Sequence, residues 1–203
     1  MNVPNILTII RVVMIPFYVF FMLTSNGGDS AAWVALIIFC VASLTDMLDG
    51  KIARKYNLVT NFGKFMDPIA DKLLVCSALI CFVDMRLLPS WMVIIIISRE
   101  FIINGLRLIA SDNGVVIAAG WWGKLKTVFQ MATIIYFMFL WGLGKIITWQ
   151  EYILTEFRGM EQSANISEWS LIGTLIAWIA LILTIISLID YIVKNRNVLK
   201  DVK

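Results

Sequence analysis

The chain has 203 residues, 60% of them hydrophobic and 15% charged, with a mean hydropathy of +0.86; soluble domains are only about half apolar, so an ordinary soluble globular protein is excluded. A net charge of +3 is too small to point to nucleic acid and better suits anionic lipid head groups or phosphorylated small molecules. The sequence contains no His, so any general base must be Asp, Glu, Lys, Tyr or Cys, and metal ligation by imidazole is excluded.

A hydrocarbon core of about 30 Å takes roughly 20 helical residues to cross, and six apolar runs approach that length. The first, Ile6–Leu23, carries Arg11 and Pro16 and is not followed by a small-residue cleavage site, so it reads as a retained helix rather than a signal peptide. The second is Ala31–Leu48, and the third, Pro68–Val83, is short for a span. Pro89–Ile109 and Leu125–Leu143 follow, with Lys124 and Lys126 at the start of the latter. The polar interval Lys145–Glu168 mixes aromatic and acidic residues, which predicts an interfacial segment on the outer face. Ser170–Val193 closes the series.

The prediction is an all-α integral membrane protein of six transmembrane helices, forming one domain over residues 1–203. Cys40, Cys76 and Cys81 all fall in apolar runs and read as small buried hydrophobes. Basic residues cluster in the second connection (Lys51, Arg54, Lys55, Lys64), at the fourth (Arg107, Lys124, Lys126) and in the tail. The positive-inside rule then puts both termini and these connections in the cytoplasm.

Four aspartates between two strongly apolar segments carry the chemistry: Asp46, Asp49, Asp67 and Asp71. An ionised carboxylate at membrane depth is costly unless solvated, paired or metal-bound. The i,i+3 and i,i+4 spacings put each pair on one face of its own helix, and two such helices facing each other would gather all four. Oxygen ligands without His or Cys select Mg²⁺, Mn²⁺ or Ca²⁺. Four carboxylates exceed what one ion takes from protein, so two ions sharing them and leaving positions open for substrate phosphates is the expected arrangement, one that belongs to phosphoryl transfer. Gly50 and Gly63 would let a ligand approach the backbone, and Arg54 could take a phosphate oxygen bidentately.

The string D-x2-D-G-x2-A-R-x8-G-x3-D-x3-D, here Asp46, Asp49, Gly50, Ala53, Arg54, Gly63, Asp67 and Asp71, resembles the signature of the CDP-alcohol phosphotransferases without gap or substitution. The resemblance implies a six-helix membrane enzyme, usually a homodimer, that moves a phosphatidyl or similar group from a CDP-linked donor to an alcohol and releases CMP. It implies that Asp46, Asp49 and Asp67 ligate two Mg²⁺ or Mn²⁺ ions, and that Asp71 adds to the metal site and is the base. It also implies that Asp49, Gly50, Ala53, Arg54 and Gly63 line the CDP site.

The acceptor must be read from residues outside that string. Arg99 and Arg107 lie in or beside an apolar helix, with Lys124 and Lys126 following, and Glu100 could neutralise only one of them; the excess positive charge suits a phosphorylated acceptor. These segments, with VPNILTIIR near the N-terminus, are similar to the bacterial branch of the family that uses CDP-diacylglycerol and sn-glycerol 3-phosphate, in the cell membrane. On that likeness Asn5 and Thr8 belong near the donor, and Arg11 with the acceptor phosphate. Two other readings stay open: another acceptor within the family, such as inositol phosphate or serine, and a cation transporter. A transporter would spread acids along several helices toward both faces, whereas here four gather at one end.

Overall fold

The computed structural model describes residues 3–55, 61–112, 120–145 and 168–196, and within them the side chains of residues 5–45, 66, 69–110, 120–145 and 171–196. Among the described residues the chain forms six helices: α1 (Val3–Thr24), α2 (Ser30–Lys55), α3 (Asn61–Asp84), α4 (Ser90–Asp112), α5 (Trp121–Gly142) and α6 (Glu168–Lys194). Each apolar run of the sequence corresponds to one of them, to within a residue at Pro89 and Leu143. The runs end where charge begins, but the helices do not: α2 continues beyond Leu48 to Lys55, and α3 starts at Asn61 rather than Pro68. Helical hydrogen bonding is indifferent to hydropathy, and α3 is therefore 24 residues long, longer than its apolar run. Except for its two end residues, the interval Lys145–Glu168, read as an outer interfacial segment, lies outside the described residues, as does the end of the basic tail.

Among the described residues three helices are long and apolar enough to cross a membrane: α1 over Asn5–Thr24, α5 over Trp121–Gly142 and α6 over Leu171–Lys194. In α2 the described side chains from Ser30 to Thr45 form a shorter apolar stretch. Large apolar side chains point outward throughout. Phe17 and Phe20 of α1, Ile94 and Leu108 of α4, Val128 of α5 and Leu175 of α6 are each more than half exposed, a surface that suits lipid.

The helices form two compact units, one of α1, α2, α3 and α5 from Ile134, the other of α4, α5 as far as Thr133, and α6 from Leu171. In the first, α1 packs on α2 and α3. Ala32, Ala35 and Ala42 of α2 are buried, and this stripe of small side chains lets the neighbouring helix backbone come close. Tyr18 of α1 fills the space beside Phe39, ring centroids 5.7 Å apart, and Phe82 meets Phe137 at 5.8 Å. In the second unit Met92, Ile96 and Ile103 of α4 and Ala177, Ala180 and Leu181 of α6 are buried, while Trp91 and Trp178 pair at 5.8 Å.

The turn from α1 to α2 is built by Asp29. Its Oδ1 accepts from the Ser25 hydroxyl at 2.7 Å and from the Ala32 N–H at 3.0 Å, and its Oδ2 accepts from the Asn26 N–H at 3.0 Å. It thus caps α2 and ties the turn together. Gly27 and Gly28 have φ of 78° and 73°, a region in which side chains are strained, and the Gly28 N–H donates to the Trp141 carbonyl at 2.8 Å. The Trp141 indole N–H donates to Ser25 Oγ at 2.9 Å.

The Ser25 bond first, then the Ala32 and Asn26 amides, hold the Asp29 carboxyl below the ordinary carboxylate range. A depressed folded-state pKa contributes stability that is present above the unfolded-state value and lost as pH falls through the folded one. Asp29→Asn is therefore expected to lower the thermal midpoint in detergent at neutral pH, with the gap from the unsubstituted protein closing as pH drops below the carboxylate range. A gap that stays constant down to acid pH would show that the cap acts by geometry without its charge.

Candidate active site

The four aspartates fall on two consecutive helices at matching heights. Asp49 is six residues before the end of α2, and Asp67 is six after the start of α3; Asp46 is nine before and Asp71 ten after. The two helices pack on each other and are joined by residues 56–60, so they run antiparallel, and equal counts from the connection mean equal depth at about 1.5 Å per residue. Each pair spans about one turn, roughly 4.5–6 Å along its axis. The side chains of Asp46, Asp49, Gly50, Ala53, Arg54, Gly63 and Asp67 lie outside the described ones, and their reading as ligands and donor contacts rests on backbone position and residue type. Asp71 is described: its Oδ2 accepts from Lys72 Nζ at 2.7 Å, and 41% of its side chain is exposed.

The same counting places the N-terminal residues. Thr8 is sixteen residues before the end of α1, and Asp46 sixteen after the start of α2; for Asn5 and Asp49 both counts are nineteen. Across the short turn 25–29 these pairs are level. Asn5, Thr8 and Arg11 are all buried, Arg11 and Thr8 completely, and each has an interaction partner. They share one helical face with Tyr18 and Met22, at steps of three, seven and four residues, so the buried face of α1 is polar at its N-terminal end and mostly apolar beyond. A fully buried Arg on an otherwise apolar helix is retained where it meets opposite charge or a polar ligand.

The second unit holds Arg99, Glu100, Arg107, Lys124 and Lys126. Arg99 and Lys126 are not unpaired. Arg99 Nη1 donates to Glu100 Oε1 at 2.9 Å, and Lys126 Nζ is in close contact with the same oxygen. Arg99 Nε donates to the Ser187 hydroxyl at 3.1 Å, which in turn donates to the Thr184 carbonyl at 3.0 Å. Glu100 therefore serves both cations, where the sequence suggested one. Arg99, Glu100, Lys126 and Ser187 are all buried. A Cβ at Gly123 would sit 3.4 Å from Arg99 Nη2, so the absence of a side chain there leaves the guanidinium room. Lys124 is exposed. Arg107, in contrast, lies over the Tyr191 ring, its guanidinium carbon 5.7 Å from the centroid.

Two participants in this second cluster, Ser187 and Tyr191, are silent in the sequence. They sit inside the last apolar run with no spacing that marks them, and the Arg99–Ser187 bond joins residues 88 positions apart.

Comparison with known proteins bears directly on this arrangement. The sequence model of the CDP-alcohol phosphatidyltransferase family matches residues 1–157, an interval that includes all four aspartates and the basic residues of α4 and α5. The chain is 49% identical over 143 residues to the CDP-diacylglycerol–glycerol-3-phosphate 3-phosphatidyltransferase of Bacillus subtilis, covering 66% of this chain and 74% of that protein. It is 37% identical over 205 residues to the protein of the same name from Haemophilus influenzae, covering 98% and 96%. With that of Shigella flexneri the identity is 34% over 207 residues, covering 98% of both. With the signature intact on α2 and α3 and the match extending over more than half of its length, the chain belongs to the CDP-alcohol phosphatidyltransferase family.

Proposed function

We infer that this protein transfers a phosphatidyl group from CDP-diacylglycerol to sn-glycerol 3-phosphate, giving phosphatidylglycerophosphate and CMP. The observation that carries the reading is the near full-length similarity to relatives bearing that activity in their names, in a chain with an unbroken aspartate signature at one depth of α2 and α3. The protein is a multi-pass membrane enzyme of bacterial type. We read all six helices as spans of one domain that works as a homodimer, with both termini and the aspartate-bearing helix ends in the cytoplasm, as the distribution of Lys and Arg supports.

The donor set fits a pair of hard divalent cations: four carboxylates on adjacent helices, with no nitrogen or sulfur ligand among them. Asp46, Asp49, Asp67 and Asp71 would hold Mg²⁺ or Mn²⁺, which when bound neutralises charge on the pyrophosphate oxygens. Arg54 holds the donor pyrophosphate, with Gly50, Ala53 and Gly63 giving the nucleotide close access to the backbone and Asn5 and Thr8 at the same height. Asp71 takes the proton from the acceptor hydroxyl. The hydroxyl oxygen bonds to the β-phosphorus of the donor as the bond from that phosphorus to the bridging oxygen breaks, and CMP leaves with the electron pair. A carboxylate is a weak base for an alcohol, so positioning and charge stabilisation supply most of the rate.

The acceptor phosphate is taken by the basic residues, with Arg107 the principal one, Lys124, Lys126, Arg99 and Arg11 supplying further positive charge. Lys126 and Arg99 share Glu100 and so contribute less than Arg107. Arg107→Ala is expected to raise KM for sn-glycerol 3-phosphate by about one to two orders of magnitude, the loss of a charge-assisted contact of roughly 1.5–3 kcal/mol, and to leave KM for CDP-diacylglycerol unchanged. Arg107→Lys should rescue in part, keeping charge without the planar fork. Steady-state CMP release with each substrate varied in turn measures both constants, and an unchanged acceptor KM in Arg107→Ala would remove Arg107 from the site.

A further inference from the structure

Within the described residues of the second unit, α4 and α6 carry two buried polar atoms without a hydrogen-bond partner, one on Arg107 and one on the tyrosine whose ring it overlies. Tyr191 is 6% exposed and lies beneath the Arg107 guanidinium. Among the described residues neither the Tyr191 hydroxyl nor Arg107 Nε, both shut off from solvent, has a hydrogen-bond partner. Buried donors in native proteins are nearly always paired, and an orphan calls for a water, an ion or a ligand. The neighbouring acids do not meet the need: Asp190 is held by Lys194 at 2.7 Å, and Glu100 by Arg99 and Lys126. A guanidinium N–H and a phenol O–H are both donors to an oxyanion, while an apolar or cationic occupant would leave both orphaned. The ring face under the guanidinium restricts its tilt, which makes the pair a preformed binding element rather than two independent side chains.

We propose that Tyr191 is a further acceptor-binding residue, its hydroxyl donating, together with Arg107 Nε, to the phosphate of the acceptor. This rests on the reading of Arg107 as an acceptor ligand. Tyr191 lies beyond residues 1–157 matched by the family, so the shared signature does not assign it. The pair also gives a physical basis for selecting a phosphorylated alcohol, since an acceptor without the phosphate leaves two desolvated donors unmet.

Tyr191→Phe removes one oxygen and keeps the ring beneath Arg107. KM for sn-glycerol 3-phosphate should rise about tenfold, as for loss of a hydrogen bond to a charged group, and KM for CDP-diacylglycerol should not follow it. In maltoside detergent the thermal midpoint without substrate should be unchanged or higher, because an orphan hydroxyl is gone, while the rise produced by sn-glycerol 3-phosphate should shrink. A purely structural Tyr191 would lower that midpoint and leave the acceptor KM alone, overturning the proposal. Added phosphatidylglycerol tests the other source of phosphate: stabilisation by the lipid that Tyr191→Phe abolishes, with an unchanged acceptor KM, would assign the pair to a lipid head group and also overturn it. Failure of the wild-type protein to release CMP with sn-glycerol 3-phosphate would sink the functional reading itself. A raised KM in Arg107→Ala with a normal KM in Tyr191→Phe would sink only the role of Tyr191.

Discussion

Asp67→Asn is expected to reduce turnover by at least about two orders of magnitude while leaving the protein folded in detergent. The substitution exchanges one oxygen for an NH₂ group, conserving volume, so packing is barely disturbed. What it removes is charge. A neutral amide binds a hard divalent cation far less well than a carboxylate does, and a metal-assisted phosphoryl transfer depends on that cation for neutralising the developing charge on phosphate. Because Asp67 stands level with Asp49 across the α2–α3 connection, no other acidic position of the signature can take over its place on α3; Asp71 is a full turn further along. The measurement is CMP release at saturating Mg²⁺, alongside a thermal melt of the same preparation. Activity above about a tenth of wild type, a barrier increase under roughly 1.4 kcal/mol, would count against direct ligation by Asp67.

The second large effect is on stability. Glu100→Gln is expected to cost about 3–5 kcal/mol, the range for breaking a buried ion pair by removing one partner. The carboxylate oxygen lost is the one contacted by both Arg99 and Lys126, and these cations are 8% and 1% exposed, so solvent screening offers little compensation. Removing one of the cations at the same time should recover much of the loss. Glu100→Gln with Lys126→Met is therefore expected to be more stable than Glu100→Gln alone, and a double-mutant cycle gives the coupling directly. A Glu100→Gln protein within about 0.5 kcal/mol of wild type would mean that the cations are solvated in the folded state.

The helical architecture was largely legible in the sequence, because a helix facing lipid must be apolar around most of its circumference. Hydropathy misplaced the charged ends of α2 and α3 the most, by seven residues each, and those ends bear the signature. The helical spacing of Asp46 with Asp49 and of Asp67 with Asp71 was legible too, and both pairs do fall within helices, α2 and α3; their matching depth needed the helix boundaries, Lys55 and Asn61. The basic cluster was half legible. Arg99, Arg107 and Lys126 announce themselves as charges in apolar surroundings, but the sharing of Glu100 by two of them depends on how α4 and α5 pack. Ser187 and Tyr191 could not have been found, because contacts between distant helices leave no local periodicity. The Asp29 cap was available as an acidic residue just before an apolar run, a common helix-start signal.

Purified protein supplied with CDP-diacylglycerol and Mg²⁺, and offered sn-glycerol 3-phosphate, inositol phosphate or serine in parallel, tests the central claim most directly. CMP release with sn-glycerol 3-phosphate alone, accompanied by phosphatidylglycerophosphate as the lipid product, is the predicted result. Equal or faster CMP release with inositol phosphate or serine, or none with sn-glycerol 3-phosphate, would contradict it.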